Sequence, residues 1–407
     1  MGQELLERLF NRYFEDWSNL PVEKLKSLLR VKAKTILPSL DEYDFSKKQR
    51  VKFGIDPTGR DVHIGHLCPM IVLNIFLKTG HHVDFFVGDF TAKIGDPSGR
   101  VSERPVLTDQ IISDNLKTYR TQIERYVDLS KATVAKNSDW LGRVLFSELI
   151  SISQHINVAA MLQRDDFRKR IADGGLTLAE LLYGIAQGYD SVSLKSTIEV
   201  GGDDQLLNLQ YGRELQRIYG QKPQLCITNP LLEGLDGRKM SKSYQNYVAL
   251  NASLEDKFGK LMSITDELIL QYYKSFTYLY QEEIPELEKF IWRDPFEAKK
   301  QLATYFVAIE EKSLERGREE RQKFEKKFGK KDLSKDDFHI IGVPAETMLM
   351  DALFGSGKYK SRGELKRLMQ AGAISNLDNG EKILEDAPFE GKVRVGKLGF
   401  FWITIIK

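Results

Sequence analysis

The stretch Arg50-Val51-Lys52-Phe53-Gly54-Ile55-Asp56-Pro57-Thr58-Gly59, followed by the apolar residues 65–78 and then by residues 83–88, decides the fold. Its opening residues alternate branched or aromatic side chains with polar ones and end on a Pro-Thr-Gly turn, which predicts a short strand over 50–56. Residues 65–78 are apolar enough for a helix laid on a sheet, and Gly80 stands where a helix stop is expected. A second strand over 83–88 completes one β-α-β unit. Outward from it, strands are expected at 132–135, 197–200 and 224–228 with helices between them. The fold class is therefore α/β, with a doubly wound parallel sheet over the first ~230 residues. Ligands then belong at the carboxyl ends of its strands.

Upstream, residues 1–48 read as amphipathic helices, with Leu5, Leu6, Leu9 and Phe10 spaced for one face. Downstream, residues 250–331 show no strand pattern and read as a helical bundle. Its mixed-charge run over 310–331 fits a solvated helix face laced with ion pairs. Residues 330–338 form a linker, and 340–407 are expected to form a small domain, a helix pair followed by strands around 391–406.

At 407 residues, with 42% hydrophobic and 29% charged side chains, the chain has ordinary globular composition, which excludes a disordered or collagen-like polymer. No window approaches the ~20 consecutive apolar residues of a membrane helix, and the first residues carry no signal-peptide stretch, so a cytoplasmic protein without membrane attachment is expected. Cys68 and Cys226 cannot build an all-thiolate zinc site, and no structural metal is expected. A formal net charge of +2 leaves nucleic-acid binding to local patches.

Four constellations carry chemistry. His63-Ile64-Gly65-His66 opens the first apolar helix, where amide donors and two imidazoles suit phosphates. Lys239-Met240-Ser241-Lys242-Ser243 offers two lysines on a hydroxyl-rich loop, able to neutralise a triphosphate, although a solvated basic loop has the same composition. A helix beginning at the capping box Thr177–Glu180 carries Tyr183, Gln187 and Asp190 on one face, while Leu178, Leu182, Ile185 and Tyr189 pack elsewhere. That polar line suits a small ligand such as an amino acid; a solvent-facing stripe is the alternative. Two glycine-bearing loops, residues 200–205 and 94–100, place carboxylates at strand ends.

The segments 63–66 and 239–243 resemble the two signature sequences of the class I aminoacyl-tRNA synthetases. Gly54 to Thr58, residues 94–99, 183–190 and 201–205 narrow the resemblance to the bacterial tyrosyl-tRNA synthetases, over nearly the whole chain. The resemblance implies a Rossmann-like catalytic domain over 1–235, the signature loop and a helical anticodon-side domain over 236–331, and an alpha-L type RNA-binding domain over 338–407. It implies that L-tyrosine and ATP with Mg²⁺ form tyrosyl-adenylate, whose tyrosyl group passes to tRNA(Tyr), by a homodimer without an editing domain.

Residue by residue, the resemblance places Asp96, Tyr183 and Gln187 at the tyrosine ammonium group, Asp190 at the phenol, Gln205 near the carboxylate and Gly54 in the tyrosine pocket. Thr58 and His63 would face the ATP phosphates, with His66, Asp56, Gly65, Gly202, Asp204 and Met240 along the nucleotide. Lys239, Lys242, Arg100 and Arg104 would clamp pyrophosphate. Arg362, Lys366 and Arg367 form a basic helix face for RNA phosphates.

Three departures from the family stand out. Lys52 occupies a position where many members carry a phenol-binding tyrosine, so the phenol contact rests on Asp190. Gly184 stands where relatives often carry proline and is expected to loosen its helix by ~1 kcal/mol relative to alanine. Residues 375–380 differ in composition from the usual tail hairpin. A synthetase-like paralogue activating another aromatic amino acid, and a non-catalytic RNA-binding derivative, are the alternative readings.

Overall fold

Alternate residues of the central strands leave the sheet on opposite sides, and both sides are covered. The computed structural model describes residues 2–57, 62–97, 108–162, 165–172, 175–238, 240, 244, 246–328, 338–359, 361–378, 381–396 and 399–406. Its first compact unit, Met1–Phe324, is built on β1 (Thr35–Leu37), β2 (Arg50–Ile55), β3 (His82–Val87), β4 (Thr133–Lys136), β5 (Ile198–Gly202) and β6 (Leu225–Asn229). Their order is β1-β6-β5-β2-β3-β4. On one side Val51, Phe53, Ile198, Val200, Leu225 and Ile227 join the core that holds the Leu67–Lys78 helix. On the other, Lys52, Glu199 and Cys226 face the paired helices Leu178–Leu194 and Leu206–Ile218.

The five expected strands fall within two residues of their predicted bounds and pair in parallel. β1 was not anticipated, and it makes the sheet mixed: Thr35, Ile36 and Leu37 pair antiparallel with Thr228, Ile227 and Cys226. Three half-buried residues carry no periodic signal, and their partner lies far along the chain.

The helices Leu254–Met262, Ile269–Phe276, Ile284–Arg293 and Pro295–Glu311 share the sheet's hydrophobic core. The mixed-charge run is not uniformly solvated. Glu310 is buried, taking Lys257 Nζ at 2.7 and 2.6 Å, Arg125 at 3.1 Å and the Tyr126 hydroxyl at 2.6 Å. The Leu314–Phe328 helix that follows does show the expected surface pairs, such as Arg316–Glu319, although Glu320 on the same helix is buried.

The second unit, Glu325–Lys407, has its own core around Leu353, Leu365, Ile374, Val393 and Ile403. β7 (His339–Val343), β8 (Ile374–Asn376), β9 (Gly391–Val395) and β10 (Gly399–Ile405) lie in the order β7-β10-β9-β8 beside the helices Leu349–Gly355 and Arg362–Gln370. β7 and β8 add to the two strands expected near the end. β7 pairs parallel with β10, more than fifty residues away.

Candidate active site

From β2 the chain moves to β3 and β4 on one side, then returns to β5 and β6 on the other, so the crevice between β2 and β5 is the topological switch point. A cavity of about 410 Å³ opens there, lined by the ends of β2, β5 and β6 and by the Leu178–Leu194 helix. Around it the structure brings together every described residue expected in the pocket: Gly54, Asp56, Asp96, Gly202, Asp204 and Gln205 from strand ends and loops, His63, Gly65 and His66 from the turn after β2, Tyr183, Gln187 and Asp190 from the helix, and Met240. Thr58, Arg100, Arg104, Lys239 and Lys242 lie outside the described residues.

Gly54 is required by close approach: a Cβ there would stand 2.2 Å from the Phe86 ring, which forms the adjoining wall. Gly95 has φ +84°, in the left-handed region, and ends the short Thr91–Ile94 helix just before Asp96. The Asp203–Asp204 pair divides its work. Asp203 accepts from the Thr35 and Thr228 hydroxyls and stitches β1 to β6, while Asp204 lines the cavity.

The helix that carries the polar line is fixed at its start by a reciprocal capping box, Thr177 with Glu180. Tyr183 and Asp190 are buried and Gln187 is half-buried, so the line faces the pocket and not solvent. Leu182, Ile185 and Tyr189 pack elsewhere as expected, but Leu178 is 71% exposed. Gly184 serves packing: its missing Cβ lets Tyr211 and Asn208 of the Leu206–Ile218 helix approach to 2.9 and 3.0 Å of where that atom would be.

The polar groups are ordered before any ligand arrives. Tyr183 Oη donates to Asp56 Oδ2 at 2.9 Å, and Thr91 Oγ1 donates to Asp56 Oδ1 at 2.8 Å. Gln205 Nε2 donates to Asp96 Oδ2 at 2.7 Å, and Asn208 holds the other end of Gln205 at 3.0 Å. Burial, reinforced by Asp56, Asp96 and Asp190, drives the Tyr183 phenol well above its ordinary range, so it stays a neutral donor and acceptor.

The turn at 63–66 works differently from the expectation of open amides. Ile64 N–H donates to Val248 O at 3.0 Å, Gly65 N–H to His63 Nδ1 at 3.2 Å, and His66 N–H to His63 O at 2.9 Å. The backbone donors are spent because the segment opens as a tight 3-10 turn, Ile64–His66, before the helix begins at Leu67. What the turn offers is imidazole. His63 Nδ1 accepts from an amide, which puts its proton on Nε2 as a donor. The two rings sit 4.0 Å apart at the cavity wall.

At the inner end, Asp190 is 1% exposed and takes a hydrogen bond from Trp140 Nε1 at 2.7 Å. Burial pushes its carboxyl up to about 7, against the opposing charge of Lys52 and the donors Trp140 and Asn137. Lys52 lies behind this wall, fully buried and paired with Glu199 at 3.0 Å. Sequence reasoning missed Thr91, Trp140 and Glu199. Glu199 carried one available signal, a carboxylate inside a strand read as central. Among the described residues, no group of three or more His, Cys, Asp or Glu side chains is placed to hold a metal ion, and no helix is long and apolar enough to cross a membrane.

In the second unit, Arg362, Lys366 and Arg367 are exposed on the Arg362–Gln370 helix, and Arg362 pairs with Asp351 at 2.7 Å.

Comparison with known proteins agrees with this geometry. The family model for class I tRNA synthetases (W and Y) matches residues 45–324. A tyrosine–tRNA ligase of Thermotoga maritima is 40% identical over 397 residues, covering 94% of this chain and 98% of the relative. One from Carboxydothermus hydrogenoformans is 38% identical over 415 residues, covering 95% and 100%. Among solved structures, a C-terminally truncated mitochondrial tyrosyl-tRNA synthetase of Aspergillus nidulans superposes with TM-score 0.62 at 22% identity, covering 80% of this chain and 99% of that one. The tyrosyl-tRNA synthetase of Archaeoglobus fulgidus complexed with L-tyrosine gives TM-score 0.58 at 21% identity, covering 74% and 99%, so both share the fold. Family model, curated relatives and switch-point cavity converge: the chain belongs to the class I tRNA synthetases of the tryptophan and tyrosine type, and within them to the bacterial tyrosine–tRNA ligases.

Proposed function

We propose that the chain is a tyrosine-activating tRNA ligase. It joins tyrosine and ATP into tyrosyl-adenylate, releasing pyrophosphate, and passes the tyrosyl group to the 3′-terminal adenosine of tRNA(Tyr). The observation that carries this reading is the meeting, in one switch-point cavity, of the 63–66 turn with the Tyr183, Gln187 and Asp190 face. Tyrosine lies along the helix, with its phenol at Asp190 and its ammonium group among Asp96, Tyr183 and Gln187, while Gln205 stands near its carboxylate. His66, Asp56, Gly65, Gly202, Asp204 and Met240 flank the nucleotide, and His63 with Thr58 meets its phosphates. Lys239, Lys242, Arg100 and Arg104 hold the departing pyrophosphate.

No side chain acts as nucleophile, because the tyrosine carboxylate attacks the α-phosphorus itself. Catalysis then comes from positioning and from charge placed where it develops in the transition state. Mg²⁺ belongs to the nucleotide substrate, held by its phosphates and water.

The same reading places the enzyme in the cytoplasm and makes it a homodimer. Leu145, Phe146, Ile150 and Val158 support the dimer, since they leave large apolar surfaces 47–76% exposed along one segment. The exposed Lys366 and Arg367 support RNA contact by the second unit, with Arg362 beside them already spending charge on Asp351. Charging of a tRNA(Tyr) transcript tests the function. Tyrosine is expected to be esterified in preference to other aromatic amino acids, and better charging with another amino acid overturns the assignment.

A further inference from the structure

Lys52 and Glu199 are register partners in the parallel β2–β5 pair, so their side chains leave the sheet side by side, toward the Leu178–Leu194 helix. The Lys52 ammonium reaches Gln187 O at 2.8 Å, Ser191 Oγ at 2.6 Å and Glu199 Oε1 at 3.0 Å, one acceptor for each of its N–H bonds. Glu199 also accepts from Gln187 Nε2 at 3.3 Å, from Ser191 Oγ at 3.1 Å and from Gln224 Nε2. Gln187 and Ser191 bracket Asp190 on the same helical turn. The clamp therefore joins β2, β5 and the turn that presents the pocket's innermost carboxyl.

Stability alone does not call for this arrangement. A buried ion pair is commonly no better than two apolar side chains of equal volume, and a central parallel strand is the natural place for Val or Ile. Among the described residues, the groups facing Asp190 are few: Lys52 from β2, Glu199 from β5, Trp140 and Asn137 from the short Ser138–Leu141 helix and its cap after β4, and Tyr183 from its own helix. Trp140 can only donate, and Lys52 is the strongest influence opposing the effect of burial on Asp190.

We propose that Lys52 is a positioning and specificity-determining residue for the amino acid: its clamp on Gln187 and Ser191 fixes the turn that carries Asp190, and the positive charge held in that clamp favours the accepting form of Asp190 that a phenol hydroxyl needs. A ring without the hydroxyl gains nothing from that charge, so Lys52 acts on the choice between tyrosine and phenylalanine through Asp190. The inference rests on reading this cavity as the tyrosine site.

Pyrophosphate exchange driven by tyrosine or by phenylalanine, followed from pH 5.5 to 9, tests it with Lys52→Met, Lys52→Arg and the neutral pair Lys52→Met/Glu199→Gln. In Lys52→Met the acidic limb of kcat/KM for tyrosine moves up by about one pH unit. Its preference for tyrosine over phenylalanine at pH 7 falls about fivefold, while the phenylalanine rate is little changed. Lys52→Arg, which keeps the charge, restores the limb. The double variant leaves no buried charge unpaired and shifts in the same direction as Lys52→Met, so it decides the matter if the single variant does not fold. Equal losses for both amino acids with the limb in place, or a folded double variant with the parental limb and preference, overturn the inference. A parent enzyme with no preference for tyrosine defeats the functional reading instead.

Discussion

Tyr183 Oη donates to Asp56 Oδ2 at 2.9 Å, joining the middle of the Leu178–Leu194 helix to the chain just beyond β2. One hydrogen bond thus ties the wall proposed for the amino acid to the wall proposed for the nucleotide. Tyr183→Phe keeps the ring and its packing but removes the donor. Tyrosine-dependent pyrophosphate exchange should fall about tenfold, in line with a lost bond to a charged acceptor, while the thermal midpoint changes little. Unchanged exchange would show that the link does not order the pocket.

On the proposed reading, Asp190 should make tyrosine binding depend on pH. Burial raises its carboxyl to about 7. The folded chain therefore holds this proton where the unfolded chain has released it, so the group's contribution to stability is full below the ordinary carboxylate range and is lost as pH rises from there through about 7. Tyrosine binding runs the other way, since the phenol prefers the ionised acceptor. Affinity measured calorimetrically should improve about tenfold from pH 6 to pH 8, and Asp190→Asn should bind weakly without that pH dependence.

Gly184→Ala separates packing from helix propensity. Propensity alone predicts a gain of ~1 kcal/mol. The added Cβ would meet Tyr211 at 2.9 Å and Asn208 at 3.0 Å, so a net loss of about 1–3 kcal/mol in urea unfolding is expected. Gly188→Ala should cost more, because part of what its Cβ would meet at 3.0 Å is the backbone at Tyr211, which cannot swing aside.

Glu310→Gln should be severe. It strips the partner from Lys257, whose side chain is fully buried, and a loss of about 3–5 kcal/mol is expected. Replacing both residues, as in Lys257→Met/Glu310→Leu, should recover much of that loss. Additive losses in the double variant would mean that the pair is not the source.

These contrasts show how much could be read without coordinates. The β2-helix-β3 unit and the Thr177 capping box rest on local patterns, a run of apolar residues, a stop glycine and a Thr-x-x-Glu spacing, so they were legible. The line of Tyr183, Gln187 and Asp190 was legible because one helix carries all three. β1 and β7 were not, since each is short and pairs with a partner remote in sequence. Lys52 stood out as a departure at the phenol end, but its pairing was not legible for a similar reason: Glu199 stands nearly 150 residues away, and only strand register sets them side by side. The amides of the 63–66 turn looked open because sequence spacing does not show that Val248 reaches back to take one of them.

The most direct measurement of the central claim is a crystal structure of the enzyme with a non-hydrolysable tyrosyl-adenylate analogue. The account predicts the phenol within hydrogen-bond reach of Asp190 and the adenosine along the 63–66 turn and Gly202, both in the cavity between β2 and β5. An analogue bound outside that cavity, or inside it with the phenol turned away from Asp190, would contradict it.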